Sequence, residues 1–197
     1  MPEPVEPNDV AVPDVASSLA TRSRARPVAL AVMATTAVFV LGLDVATKQL
    51  ALTNLADGRS VKLLGGLLYL TLTYNSGAAF SIGGNYTVIF PIVTVVVVGG
   101  IVWLSRQLRS LPWALSLGLI LGGAFGNLMD RVFREPGPLR GHVVDFLSFL
   151  NDSGQGFAIF NLADSALVCG VVLAVLLELT GRRRDGTRMR HSDRDAD

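Results

Sequence analysis

FAIFNLADSALVCGVVLAVLL, running from Phe157 to Leu177, carries a single charge, at Asp164. A helix rises about 1.5 Å per residue, so this run can cross about 30 Å of hydrocarbon, and in lipid its backbone polar groups must be satisfied within the segment. Three more runs of the same kind precede it. The first extends from about Pro27 to Leu43 and continues past Asp44 toward Leu52, the second from Tyr86 to Leu104, and the third, with no charge at all, from Leu111 to Met129. The expected fold is therefore an all-α integral membrane protein with four transmembrane helices, spanning about 27–50, 86–104, 111–130 and 157–178. The composition of the 197 residues agrees: 50% are hydrophobic and only 17% charged, with a formal net charge of +1. Mean hydropathy is +0.48. A soluble domain carries about a quarter charged residues. No nucleic-acid partner is expected.

The flanks and loops set the orientation. Residues 1–25 are rich in Pro, Asp, Glu, Ser and Arg without an apolar period, as are the Arg and Asp residues of 181–197. Both segments are expected to be disordered cytoplasmic tails, with Pro27 at the first helical position of span one. A cleaved signal peptide fits the first span poorly, because three spans follow, the polar preface is long and no small-residue cleavage site precedes Asp44. Arg22, Arg24, Arg26, Arg106, Arg109 and the arginines from 182 onward share one side, which the positive-inside rule makes cytoplasmic, although Arg59, Lys62, Arg131, Arg134 and Arg140 occupy the other. Both termini are then cytoplasmic. Between spans one and two, residues 61–81 include Leu68, Leu70 and Leu72 alternating with Tyr69, Thr71 and Thr73, which predicts a small extracytoplasmic β element. The single cysteine, Cys169, is read as a packing residue.

With that topology the polar residues collect at one level. Asp44 and Lys48 end span one, Asn127, Asp130 and Arg131 end span three, and Asn161 and Asp164 begin span four. Asp145 lies in the loop between spans three and four, within the apolar stretch His142 to Phe149. Ionisable groups at membrane depth cost roughly 2.5 to 3.5 kcal/mol each, so they tend to be paired, inward-facing and functional. Asn127 with Asp130, Asn161 with Asp164, and Asp44 with Lys48 are spaced to share helical faces. For Asp44 with Lys48, an interfacial ion pair closing a helix is at least as good a reading as a direct role. For Asp130 with Arg131, helix termination with a salt bridge or backbone capping is the better one. Asn75, Asn127 and Asn161 could simply join spans by hydrogen bonds. Asp145 and Asp164 differ, because neither has a lysine or arginine within four positions and both have apolar neighbours.

The chemical inventory is short. His142 and His191 are the only histidines, one in a loop and one in the basic tail, so there is no HExxH zinc motif. A Ser–His pair is disfavoured for the same reason, although Ser76 and Ser153 each precede a glycine. What remains is carboxylate chemistry, in which two close aspartates share one proton. A proton-coupled transporter would carry ionisable groups through the depth of the membrane, whereas here they cluster on one side. A noncatalytic lipid-binding protein gives no reason for two isolated carboxylates. On the residues alone, the partner of Asp164 is open between Asp130 and Asp145.

Five blocks resemble the lipoprotein signal peptidase (signal peptidase II) family, in order and over about residues 30 to 180: DVATK (Asp44 to Lys48), YNSGAAFS (Tyr74 to Ser81), GGAFGNLMDRV (Gly122 to Val132), VVDFLSF (Val143 to Phe149) and FNLADSAL (Phe160 to Leu167). The resemblance implies a membrane peptidase domain over 26–180, with Asp145 and Asp164 as the catalytic pair of an aspartic endopeptidase. It assigns Asn75, Gly77, Phe80, Asn127, Arg131 and Asn161 to substrate binding or positioning, and leaves Asp44, Lys48 and Asp130 as structural polar residues. It also implies cleavage of prolipoproteins on the amino side of a diacylglyceryl-modified cysteine at the outer face of the bacterial cytoplasmic membrane, without metal or cofactor. Membrane lipid is the other expected partner, and a monomer the expected state. The segment from Phe133 to His142 looks extended relative to the family, and both charged tails are longer than its core requires.

Overall fold

The structure is a computed structural model that describes residues 15–77, 89–154 and 157–188, with side chains from Ala25 onward. Helix α1 spans Val15–Asn54, α2 Ile89–Leu104, α3 Leu111–Phe133 and α4 Leu162–Leu179; strands β1 (Val61–Leu63) and β2 (Leu68–Asn75) lie between α1 and α2, and β3 (Val143–Phe149) lies between α3 and α4. All four helical segments are long and apolar enough to cross a membrane. Their outward surfaces are apolar too, with Phe39 63%, Val96 68% and Val172 52% exposed. A contiguous apolar exterior of this kind suits lipid rather than water. The chain is an all-α integral membrane protein carrying a small sheet.

Helix α3 is the central helix: half of its most apolar window is buried, against 11% for α2. Small residues let its neighbours approach. A Cβ on Gly118 or Gly122 would lie 2.7 Å from the carbonyl oxygens of Met33 and Ala37 in α1, and one on Gly123 would lie 2.3 Å from the Ala163 carbonyl oxygen in α4. Without a hydrophobic driving force between helices in lipid, such close backbone packing is a main source of association. Ser116 adds a hydrogen bond from its hydroxyl to the Gly170 carbonyl at 2.8 Å.

Several boundaries depart from the sequence reading. Helix α1 already begins at Val15, so residues 15–25 are helical rather than part of a disordered tail. Pro27 is inside the helix, not at its first position; the segment before it, 15–26, has three alanines and three arginines, both good helix formers. Residues 1–14 lie outside the described residues, as do Tyr86 to Val88 at the expected start of span two. Span four begins at Leu162 rather than 157, because Asn161 caps it in extended conformation: its side chain accepts the Asp164 N–H while the Asp164 carboxylate accepts the Asn161 N–H.

The stretch around Asp145 is not a loop but the third strand. The sheet has the order β1-β2-β3 and is antiparallel throughout, so the β element expected between α1 and α2 is completed from the far end of the chain. Leu70 pairs with Leu147 and Thr73 with Asp145, with a bulge between them; bulges re-aim side chains next to functional sites. Alternating apolar residues made β2 legible, whereas VVDFLSF is nearly continuous in apolar character and reveals no period.

Residues 181–188 are also ordered, against the expectation of a disordered tail from 181. They form a turn closed by an Arg182–Arg188 bridge, and the Arg184 carbonyl accepts the N–H groups of Arg109 and Ser110 at 2.8 and 3.0 Å. Docking satisfies backbone donors just ahead of α3 that the helix itself leaves unpaired. Residues 189–197 lie outside the described residues.

Candidate active site

Five elements, α1, β2, α3, β3 and the start of α4, bring their polar residues to one end of the bundle. At the base is Lys48, 1% exposed, whose Nζ is 2.7 Å from Asp44 Oδ2 and 2.9 Å from Asp130 Oδ2. Asp44 Oδ1 accepts the Ala163 N–H at 3.0 Å, tying α1 to the start of α4. Asp130 Oδ2 accepts the Val144 N–H at 3.1 Å, tying α3 to β3. Asp130 pairs with Arg134 as well. The salt-bridge partner of Asp130 is thus Lys48 and Arg134, not Arg131, because side chains four apart meet on a helix while adjacent ones diverge. Two carboxylates against two cations leave a buried cluster with no net charge, the condition under which such burial is tolerated.

Above the cluster, two amides link everything else. Asn127 Oδ1 accepts from Lys48 Nζ at 3.2 Å and from Asn161 Nδ2 at 3.1 Å, which turns the Asn127 amino group toward Asp164 Oδ1, 2.7 Å away. Asn161 Nδ2 also donates to Asp145 Oδ1 at 2.7 Å, and Asn75 Nδ2 donates to Asp145 Oδ2 at 2.9 Å. Since an ammonium can only donate, Lys48 dictates which way the Asn127 amide faces, and Asn127 in turn dictates Asn161. Asp145 is 1% exposed, whereas Asp164 is half-buried. Burial, and then the charge on Asp164, push the Asp145 carboxyl up to about 7, against the opposing pull of the Asn75 and Asn161 amides and of Lys48. Two aspartates on a common amide scaffold, one of them able to hold a proton near neutral pH, form a set capable of general acid and base work.

Arg131 has a different task. Its Nη1 donates to the Asn75 and Gly141 carbonyls, both at 3.1 Å, and its Nη2 to the Gly77 carbonyl at 2.5 Å. The guanidinium also lies 5.2 Å from the Phe90 ring centroid. It therefore fixes the end of β2, where the Gly77 N–H donates back to Asn75 Oδ1 at 3.0 Å. Phe80 lies outside the described residues.

A cavity of about 700 Å³ opens beside the two aspartates, lined also by Asn75, Asn127 and Arg131 and, on its apolar walls, by Phe90, Val93 and Val97 of α2 and the aromatic set Phe149, Phe157 and Phe160. The rings of Phe149 and Phe160 are 5.1 Å apart, and that of Phe157 lies 5.5 and 5.9 Å from them. These aromatic walls escaped the sequence reading. Phe149 and Phe160 stand inside motif blocks, but nothing in the sequence marks Phe157 as their neighbour. Asn127 and Asn161 do join spans three and four by a direct hydrogen bond, as their residue type suggested. Ser153 is engaged with Asn151 in a local turn.

The model of the family described as signal peptidase (SPase) II matches residues 36–180. Lipoprotein signal peptidases similar to this chain include that of Mycobacterium tuberculosis, 47% identical over 169 residues covering 86% of this chain and 81% of the relative. That of Rhodococcus jostii is 50% identical, covering 76% and 73%, and that of Streptomyces coelicolor is 44% identical, covering 85% and 78%. A solved structure described as a bacterial membrane enzyme superposes with a TM-score of 0.65 at 33% identity, covering 75% of this chain and 87% of that one. A second with the same description gives 0.63 at 34% identity, covering 75% and 92%. Five motif blocks, four membrane-spanning helices and matches of this extent lead to one conclusion: the chain belongs to the signal peptidase II family of bacterial multi-pass membrane peptidases.

Proposed function

We propose that the protein is an aspartic endopeptidase that removes signal peptides from prolipoproteins, cutting on the amino side of the diacylglyceryl-modified cysteine, with Asp145 and Asp164 as the catalytic pair. The observation that carries the reading is the shared amide scaffold, in which Asn127 and Asn161 hold one oxygen of each aspartate at 2.7 Å beside the apolar cavity. The carboxyl of Asp145, pushed up to about 7, keeps the shared proton. Asp164 accepts two N–H donors in the first turn of α4, where negative charge is stabilised. In the reaction Asp164 takes a proton from water as the oxygen attacks the scissile carbonyl, and Asp145 gives its proton to the carbonyl oxygen. Collapse of the tetrahedral intermediate returns that proton and passes another to the leaving nitrogen, which restores the dyad. Asn75, Gly77, Phe80 and Arg131 present and align the substrate. Asp44, Lys48 and Asp130 support the scaffold from below.

The peptidase domain covers 26–180, both termini are cytoplasmic and the site lies near the outer face. A substrate anchored by two acyl chains brings its scissile bond to interfacial depth, and its apolar signal helix suits the cavity walls. The test is cleavage of a diacylglyceryl-modified prolipoprotein by the purified protein in detergent. Asp145→Asn and Asp164→Asn are each expected to abolish turnover while the thermal transition persists; near-normal turnover in either variant refutes the pairing.

A further inference from the structure

We propose that the arginine turn at the opposite end of the bundle from the aspartates is a binding site for the phosphate headgroups of anionic phospholipids. The turn is built, not loose. After α4 the Gly181 N–H donates to the Glu178 carbonyl and the Arg182 N–H to that of Leu177, at 3.0 and 2.9 Å. Gly181 and Gly186 take positive φ, 68° and 87°, and Asp185 Oδ1 accepts the N–H and hydroxyl of Thr187 at 2.9 and 2.7 Å. The turn is then fastened to another part of the chain. Besides the two N–H groups held by the Arg184 carbonyl, Trp113 Nε1 donates to the Arg182 carbonyl at 2.7 Å, and the Arg184 guanidinium lies 5.7 Å from the Trp113 ring centroid.

The docking gathers Arg182, Arg183, Arg184 and Arg188 next to Arg109 of the α2–α3 connection, which also carries Arg106 three residues earlier. Among the described residues, Asp185, already engaged with Thr187, and Glu178 stand against them. Five of the six arginines are exposed, Arg184 being the partly covered one. A fixed backbone presenting guanidinium forks suits phosphate oxygens, which arginine can grip with two N–H groups at once.

Depth identifies the occupant. Trp103, 65% exposed, stands three residues before Arg106, and Leu179, 67% exposed, three residues before Arg182. Each side of the patch thus begins within one turn of surface that faces acyl chains, and tryptophan favours the headgroup level. The groups found at that depth in every orientation of the bundle are lipid headgroups, and of these the anionic ones complement the charge. The site is separate from the aspartates and does not depend on which leaflet faces this end. Its effect is to hold the depth of α2, α3 and α4 against the bilayer.

The chain has two tryptophans, Trp103 and Trp113, and both report on this site. Full-length protein in neutral detergent micelles is titrated with phosphatidylglycerol, with phosphatidylcholine and with inorganic phosphate while tryptophan emission is followed, and native mass spectrometry counts retained lipid. Phosphatidylglycerol is expected to saturate the signal and be retained, whereas phosphatidylcholine does neither. Each basic residue near an anionic surface is worth about fivefold, so Arg182→Gln/Arg183→Gln/Arg188→Gln should raise the half-saturating phosphatidylglycerol at least tenfold. All three side chains are exposed, and an unchanged thermal transition shows that the variant is folded. Equal responses to the two lipids, an unchanged triple variant, or saturation by inorganic phosphate at the same concentration as the lipid overturns the assignment.

Discussion

Asn161→Ser separates the two jobs of one residue. Asn161 caps α4 by accepting the Asp164 N–H at 2.9 Å, and its amino group donates to Asp145 Oδ1 at 2.7 Å and, from the same nitrogen, to the neutral Asn127 Oδ1 at 3.1 Å. Serine caps a helix about as well as asparagine, but its hydroxyl is too short to reach Asp145. A hydrogen bond to a charged group is worth about 1.5 to 3 kcal/mol. With about 1.36 kcal/mol per factor of ten in rate, kcat/KM is expected to fall roughly tenfold to 150-fold while the thermal midpoint moves little. The pH dependence carries a sign as well. In the wild type the shared proton is lost as pH rises through about 7, the value to which burial and Asp164 push the Asp145 carboxyl. The Asn161 amide opposes that rise, so removing it lifts the carboxyl further and the alkaline limb of kcat/KM moves to higher pH. The assay is cleavage of a diacylglyceryl-modified prolipoprotein in micelles over a pH series, with thermal unfolding run in parallel. Activity within twofold of wild type, or an alkaline limb that stays put or moves down, refutes the reasoning.

Lys48→Met leaves Asp44 and Asp130 buried with Arg134 as the only remaining cation of the cluster; a loss of about 3 to 5 kcal/mol is expected, read as a lower thermal midpoint in detergent. Gly123→Ala places a methyl 2.3 Å from the Ala163 carbonyl oxygen and should cost about 1 to 3 kcal/mol, whereas Gly100→Ala, with nothing within 4 Å, should be neutral in the same melt. Arg131→Lys keeps the charge but cannot hold the carbonyls of Asn75, Gly77 and Gly141 from one plane. A clear rise in KM is expected from steady-state cleavage kinetics, with the thermal midpoint nearly unchanged in a parallel melt; an unchanged KM refutes the assignment.

Much of this molecule could be read along the chain, and the reason is the solvent. Lipid requires each span to be long, apolar and internally hydrogen-bonded, so Leu111–Phe133 and Ile89–Leu104 announce themselves by composition. The expense of ions in hydrocarbon likewise makes Asp44, Lys48, Asp130 and Asp164 conspicuous, and the spacing of Asp44 and Lys48 foretold their ion pair. Local helix rules do not reach across elements. That Asp130 meets Lys48 rather than Arg131, that VVDFLSF becomes the third strand of a sheet begun before α2, and that residues 181–188 dock under α3 all depend on which surfaces meet after the helices pack.

The aspartates show the same division. Asp164 was visible as the single charge in its span, yet on residues alone Asp130 stayed open as its companion beside Asp145, and only the motif blocks singled out the latter. In the tertiary structure Asp130 is spent in the cluster around Lys48, while Asp145 is reached by Asn75 from β2 and Asn161 from the start of α4. Sequence determines which residues are too polar for lipid and must find partners. Packing decides which partners they find, because the distances that set hydrogen bonds are made by helices and strands remote from one another along the chain.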